Sequence, residues 1–228
     1  MEMPVFRGSC AGWSRLGLLT LAASSLVLGG CTHKPFANAL DHYSNIEVPS
    51  PKAASIHVCS AYGCRTQTKV KFSKEQLDEI GAVMKKTATA DSAAEERRAV
   101  AYAIGWLERT VGERIGTKND RAGMDFVGSG DPGQQDCLDE ATNTTSYLTL
   151  LEKNGLLKYH TVAAPFAKEN YLRGIAGWTH WTAVLKEKTD GQRWAVDSWI
   201  QANGVNPAVV KAEEWYISSL DELPKSTL

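Results

Sequence analysis

The chain has 228 residues, with 25 Lys and Arg against 26 Asp and Glu, five Cys and a hydrophobic fraction of 43%. A net charge of −1 without any basic stripe argues against a nucleic-acid partner. The length suffices for one sizeable core and is short for two, so one domain is expected.

In chain order, Arg7 and Arg15 give a positive start, and Leu16 to Gly30 follow as fifteen apolar or small residues ending in Leu28-Gly29-Gly30-Cys31. The run falls short of the ~20 residues a spanning helix needs, and polar residues follow at once, which reads as a signal peptide. Its end resembles the lipobox of bacterial lipoproteins. That resemblance implies cleavage before Cys31 and a diacylglycerol on the Cys31 thiol, which makes a membrane the first partner. Because Thr32 rather than Asp follows, it also implies a place in the bacterial cell envelope, on the outer membrane and facing the periplasm. Residues 1–30 are thus expected to be the signal, 31–54 a lipidated tether with three prolines, and 55–228 the folded domain.

Residues 56–72 alternate in polarity around Cys59-Ser60-Ala61-Tyr62-Gly63-Cys64 and predict a small hairpin. In an oxidising compartment Cys59 and Cys64 can close a disulfide. His57 with the two cysteines offers three metal ligands without a clear fourth, so no metal is expected. Cys10 leaves with the signal and Cys31 takes the lipid, which leaves Cys137 unpaired. An unpaired cysteine in an exported protein is either buried or used.

Ser73-x-x-Gln76 and Ser92-x-x-Glu95 read as capping boxes that open helices over 74–87 and 93–115. In the second helix Val100, Ala103, Ile104, Leu107, Val111 and Ile115 recur at helical spacing, and Glu95, Glu96, Arg97, Arg98, Glu108 and Arg109 are expected to form a solvated face. Residues 116–135 hold five glycines and a proline, a long loop of the kind retained for a site. A helix then starts at Cys137, carried by Leu138, Ala141, Thr145, Leu148 and Leu151 and ended by Asn154-Gly155. Asp136, Asp139 and Glu140 read as capping acids, although they also set negative charge beside the cysteine. Strand-like runs follow at 157–164, 180–188 and 193–200, the last two joined through Asp190-Gly191. In the simplest register through that turn His180 and Asp197 share a face but stand four residues apart, roughly 13 Å.

Asp136-Cys137 opening a helix, His180-Trp181-Thr182-Ala183-Val184 opening a strand, and Gly191-Gln192-Arg193-Trp194-Ala195-Val196-Asp197 on the next strand resemble, in that order, the transglutaminase-like superfamily, with papain-like folds as wider relatives. The resemblance covers about residues 116–200. It implies an α+β fold in which N-terminal helices and a nucleophile helix pack on an antiparallel β-sheet. It also implies Cys137 as nucleophile, His180 as base and then acid, and Asp197 as the group that orients His180. The chemistry suits these types, since a helix N-terminus and a neighbouring imidazole stabilise a thiolate and a carboxylate fixes the imidazole tautomer. The Cys137 main-chain N–H is expected to serve an oxyanion, with Gln134 or Gln135 as a second donor, and His160 is a rival base. Trp178, Trp181, Trp194 and Trp199 are expected to line core and site. The implied function is a cysteine hydrolase or acyltransferase on amide bonds (a peptidase, amidase or transglutaminase), needing no cofactor and acting on a peptide, a protein or cell-wall peptides. The alternative is a non-catalytic, lipid-anchored binding module on the same fold. A redox role for Cys59 and Cys64 ranks behind both, because their spacing is not that of thioredoxin-type pairs.

Overall fold

The computed structural model describes residues 38–168 and 179–224; the expected signal peptide, Cys31 and Trp178 lie outside the described residues. Asn38 caps the first helix. Its side chain accepts from the Leu40 and Asp41 N–H groups and Asp41 returns a bond, which opens α1 (Ala39–Asn45). His42 and Tyr43 are fully buried, Tyr43 among Val48, Cys59 and Cys64. The stretch expected to be tether is therefore part of the folded body from residue 38 onward, because α1 has an apolar face and a place to bury it.

The alternating segment forms β1 (Ser55–Ser60) and β2 (Thr66–Lys71), an antiparallel pair with Ile56 opposite Val70 and Cys59 opposite Gln67. Ser73 and Gln76 exchange the expected capping bonds and open α2 (Lys74–Thr87). Ser92 caps α3 (Ala93–Ile115), but only half of that box forms: Glu95 turns to Thr89 and Arg98 instead. The apolar stripe of α3 is buried as its period requires. Two of its charges correct the expected solvated face, since Glu96 and Glu108 are buried with it.

At the centre lies α4 (Cys137–Lys153), buried almost continuously from Asp139 to Leu151. A helix enclosed on all sides is usually apolar all round, yet this one carries Thr142, Thr145 and Thr149. Each hydroxyl bonds the carbonyl four residues back, at 2.7, 2.6 and 2.8 Å, so no hydroxyl enters the core unsatisfied. Asn154 caps its C-terminus and Gly155 takes the left-handed turn that follows, with φ 70°.

The second sheet is antiparallel in the order β3 (His160–Lys168), β4 (His180–Glu187), β5 (Arg193–Asp197), β6 (Ala208–Lys211), and α5 (Ala212–Ile217) follows at once. The main core joins α2, α3 and α4 to the inner faces of both sheets, through Ile104, Leu107, Leu148, Leu151, Ala183 and Leu185 among others. The fold is α+β, with five helices and two antiparallel sheets among the described residues. α1, β6 and α5 carry no period long enough to be read from the sequence.

Candidate active site

Asp136 sets where α4 begins. Its carboxylate accepts the Asp139 N–H at 2.8 Å and Asp139 returns a bond to the Asp136 N–H, so Cys137 is the first helical residue. There the main-chain N–H groups have no carbonyl within their own helix and the positive end of the helix dipole lies close. The preceding loop is fastened by its glutamines. Gln134 accepts from the Arg121 N–H and donates to the Asn119 carbonyl at 2.9 Å, and Gln135 donates to the Cys59 carbonyl at 3.1 Å. The amide nitrogen of each expected oxyanion donor is thus engaged with a main-chain carbonyl, and the pair anchors the loop.

His180 opens β4 and Asp197 closes β5. Ala183 pairs with Val196, which continues to set Asp197 opposite Thr182, two residues from His180 rather than four. The difference arises in the connection. The Glu187 N–H closes onto the Gln192 carbonyl at 2.8 Å, so the loop is longer than a two-residue turn and slides β5 toward His180. A diagonal same-face pair is within reach of long side chains. His180 Nε2 accordingly lies 2.7 Å from Asp197 Oδ2, with both groups almost fully buried. Trp215 Nε1 donates to that same oxygen at 2.7 Å, and the rings of Trp199 and Trp215 lie 4.7 and 5.2 Å from the imidazole. His180 Nδ1 is buried with no hydrogen-bond partner among the described residues.

Cys137 is half-buried and in no disulfide. Its sulfur lies 3.5 Å from the Thr179 carbonyl and takes the N–H of Trp181, so it rests against both peptides that flank His180. Burial pushes the thiol up to about 12, and the charges of Asp136 and Asp197 push the same way. Only proton acceptance by a neighbouring base turns such a sulfur into a nucleophile.

The acids at the helix start have found partners. Asp139 accepts the N–H groups of Tyr62 and Cys64 at 2.9 and 2.6 Å, and Asp136 accepts that of Gly63 at 2.9 Å. Behind them Glu108, Asp120 and Glu140 are also buried. Burial raises Glu108, Asp120 and Asp139 to about 7 and holds Glu140 well above the ordinary carboxyl range.

The rival histidine is spoken for. His160 Nδ1 bonds Glu96 at 2.8 Å and Nε2 faces Arg97 at 3.2 Å, so both ring nitrogens are engaged. Cys59 and Cys64 are joined in a disulfide, so their sulfurs, although close to Asp139, are not free ligands. His57 stands among Lys69 and Lys52, poor company for a cation. Of the tryptophans, Trp199 covers His180, Trp181 lies 5.7 Å from the buried His42, and Trp194 stacks under Arg97 at 3.6 Å. Neither Trp215 nor His42, whose Nε2 meets Thr142 Oγ1 at 2.9 Å, carries a signal in the chain, because both come from short elements without a period. Comparison with protein-family models, curated proteins and solved structures finds no match to this chain.

Proposed function

We propose that the protein is an envelope lipoprotein whose domain, of transglutaminase-like architecture, is a cysteine hydrolase or acyltransferase acting on amide bonds. One observation carries the reading. An imidazole held by a carboxylate through Nε2 keeps Nδ1 without a partner among the described residues, and an unpaired cysteine at a helix N-terminus rests on the two peptides that flank that imidazole. In this reading the Cys137 sulfur attacks the amide carbonyl carbon as its proton passes to His180 Nδ1. The developing oxyanion takes the Cys137 N–H. Collapse breaks the C–N bond, the departing ammonia or amine carries off the proton from His180, and a thioester remains. Water or a second amine then attacks the thioester carbon and gives a proton to His180; the C–S bond breaks, the acid or new amide leaves, and the sulfur takes that proton back from His180 as the thiol. No cofactor enters these steps. Asp197 holds the ring in one tautomer and Trp215 holds Asp197.

Lipidation at Cys31 rests on Arg7, Arg15 and Leu28-Gly29-Gly30-Cys31, and no described helix is long and apolar enough to cross a membrane. The substrates in reach of such a protein are envelope proteins and cell-wall peptides. The test is release of ammonia or amine from glutamine-containing and cell-wall peptides. It should occur with the native protein and vanish in Cys137→Ala and His180→Ala, whereas equal release by native protein and variants would refute the assignment. The second reading, a non-catalytic binding module, is favoured by the burial that pushes the thiol up to about 12.

A further inference from the structure

Four consecutive residues of the disulfide loop, ending on its second cysteine, adopt the left-handed conformation: Ala61, Tyr62, Gly63 and Cys64, with φ of 67°, 64°, 66° and 53°. Only one of them is glycine, and other L-residues stay in this region only where their surroundings over-determine it. The surroundings here do so. The Cys59–Cys64 disulfide closes the loop, Arg65 Nε donates to the Ala61 and Tyr62 carbonyls at 2.6 and 3.2 Å, and the Tyr62 hydroxyl donates to the Asp125 carbonyl at 2.6 Å. A run of left-handed residues makes one turn of left-handed helix, and the N–H groups at its start have no carbonyl partner within the turn. The three N–H groups of Tyr62, Gly63 and Cys64 close on the carboxylates of Asp139 and Asp136, the N3 and N-cap residues of the helix that carries Cys137. Asn143 adds a second grip, accepting the Cys59 N–H at 2.7 Å and donating to its carbonyl at 2.9 Å.

We infer that the disulfide-closed loop is the positioning device of the nucleophile: its Gly63 N–H offsets the charge of Asp136 beside Cys137, and opening the loop releases that charge onto the sulfur. The inference rests on the Cys–His reading above. Among the described residues, Asp136 at the helix start and Asp197 on β5 are the carboxylates whose charge acts on the sulfur, which contacts the peptides on either side of His180 on β4. Of the two carboxylates, Asp136 is the one that loses a main-chain partner when the loop opens, because Gly63 is its donor.

The test is iodoacetamide labelling of Cys137 in the full chain, read by peptide mass across pH, in native protein, in C59A/C64A and in C59A/C64A/D136N. Asn caps a helix as well as Asp does, so the third variant removes charge and keeps the cap. If the double variant does not fold, native protein opened by a water-soluble phosphine replaces it. The phosphine becomes its oxide, with oxygen from water, as the two sulfurs gain the electrons and protons of two thiols. Opening should lower the neutral-pH rate about tenfold, the effect of a one-unit rise in thiol pKa, and Asp136→Asn should restore most of it. A His180-dependent rate that survives opening overturns the inference alone. So does a loss that Asp136→Asn does not recover, which would make the loop merely structural. Absence of His180-dependent labelling in the native protein overturns the Cys–His reading first, and the inference with it.

Discussion

Glu96 accepts the N–H groups of Lys158, Tyr159 and His160 together with Nδ1 of His160, all from one buried carboxylate. In the sequence it stands in the charged run Glu95-Glu96-Arg97-Arg98, which suggests a wet surface. Its position suggests otherwise: Glu96 lies one turn before Val100 and Glu108 one turn after Ile104, so both fall on the apolar stripe. The period was the better guide than the residue type, because a carboxylate with enough donors is stable inside a protein. Replacing Glu96 by Gln leaves one acceptor oxygen for four donors and should cost ~3 kcal/mol in urea unfolding, without altering Cys137 labelling. A cost near zero would mean that these donors find water instead. Cys137, His180 and Asp197 were legible as residue types in a particular order. What was not legible was Trp215, whose bond to Asp197 depends on where a six-residue helix lands.

Among the elements, α2, α3 and α4 were read to the residue at most ends, because serine and aspartate caps and a glycine stop mark them in the chain. The strands are legible in the chain as elements but not in extent: the run expected at 193–200 pairs only to Asp197. Register is less legible still, since an Asp-Gly pair signals a turn without fixing which residues close it. A further element-scale feature is the glycine face of α3. A Cβ at Gly105 would come within 2.5 Å of Asn206 Oδ1, and one at Gly112 within 2.9 Å of Asn203 Nδ2. The segment that follows Asp197 therefore lies directly on α3, and its Gly204 N–H donates to Glu108 at 2.9 Å. Gly105→Leu should push that segment off and destabilise the fold by about 1–3 kcal/mol. Gly130→Ala, with nothing near its Cβ, should change stability by less than about 0.5 kcal/mol. Equal effects would show that close packing on α3 is unimportant.

At the scale of the whole molecule, the carboxyls of Glu108 on α3, Asp120 in the loop, and Asp139 and Glu140 on α4 share one interior region, with Asp136, Asp197 and Tyr147 near them and Arg109 and Arg121 as the facing cations. An acid raised on folding binds its proton more tightly in the folded state. Its contribution is complete below the ordinary carboxyl range and is lost as pH rises through about 7. His42, which burial lowers to about 4, acts in the opposite sense on the way down. Four raised acids outweigh the two lowered histidines, His42 and His57, so the melting temperature should fall as pH is raised from about 5 to about 8. A rise over that range would show that these groups are ionised without cost. The same interior bears on whether Cys137 reacts, because burial opposes the thiolate and the proposed nucleophile needs His180 as its proton acceptor. The most direct measurement is the rate of Cys137 alkylation by iodoacetamide across pH, in the native chain and in His180→Ala. A Cys–His nucleophile should show a plateau that begins well below the free-thiol pKa of ~8.5 and disappears with His180. An unreactive thiol, or an ordinary profile that His180→Ala leaves unchanged, would contradict it and assign the domain to binding.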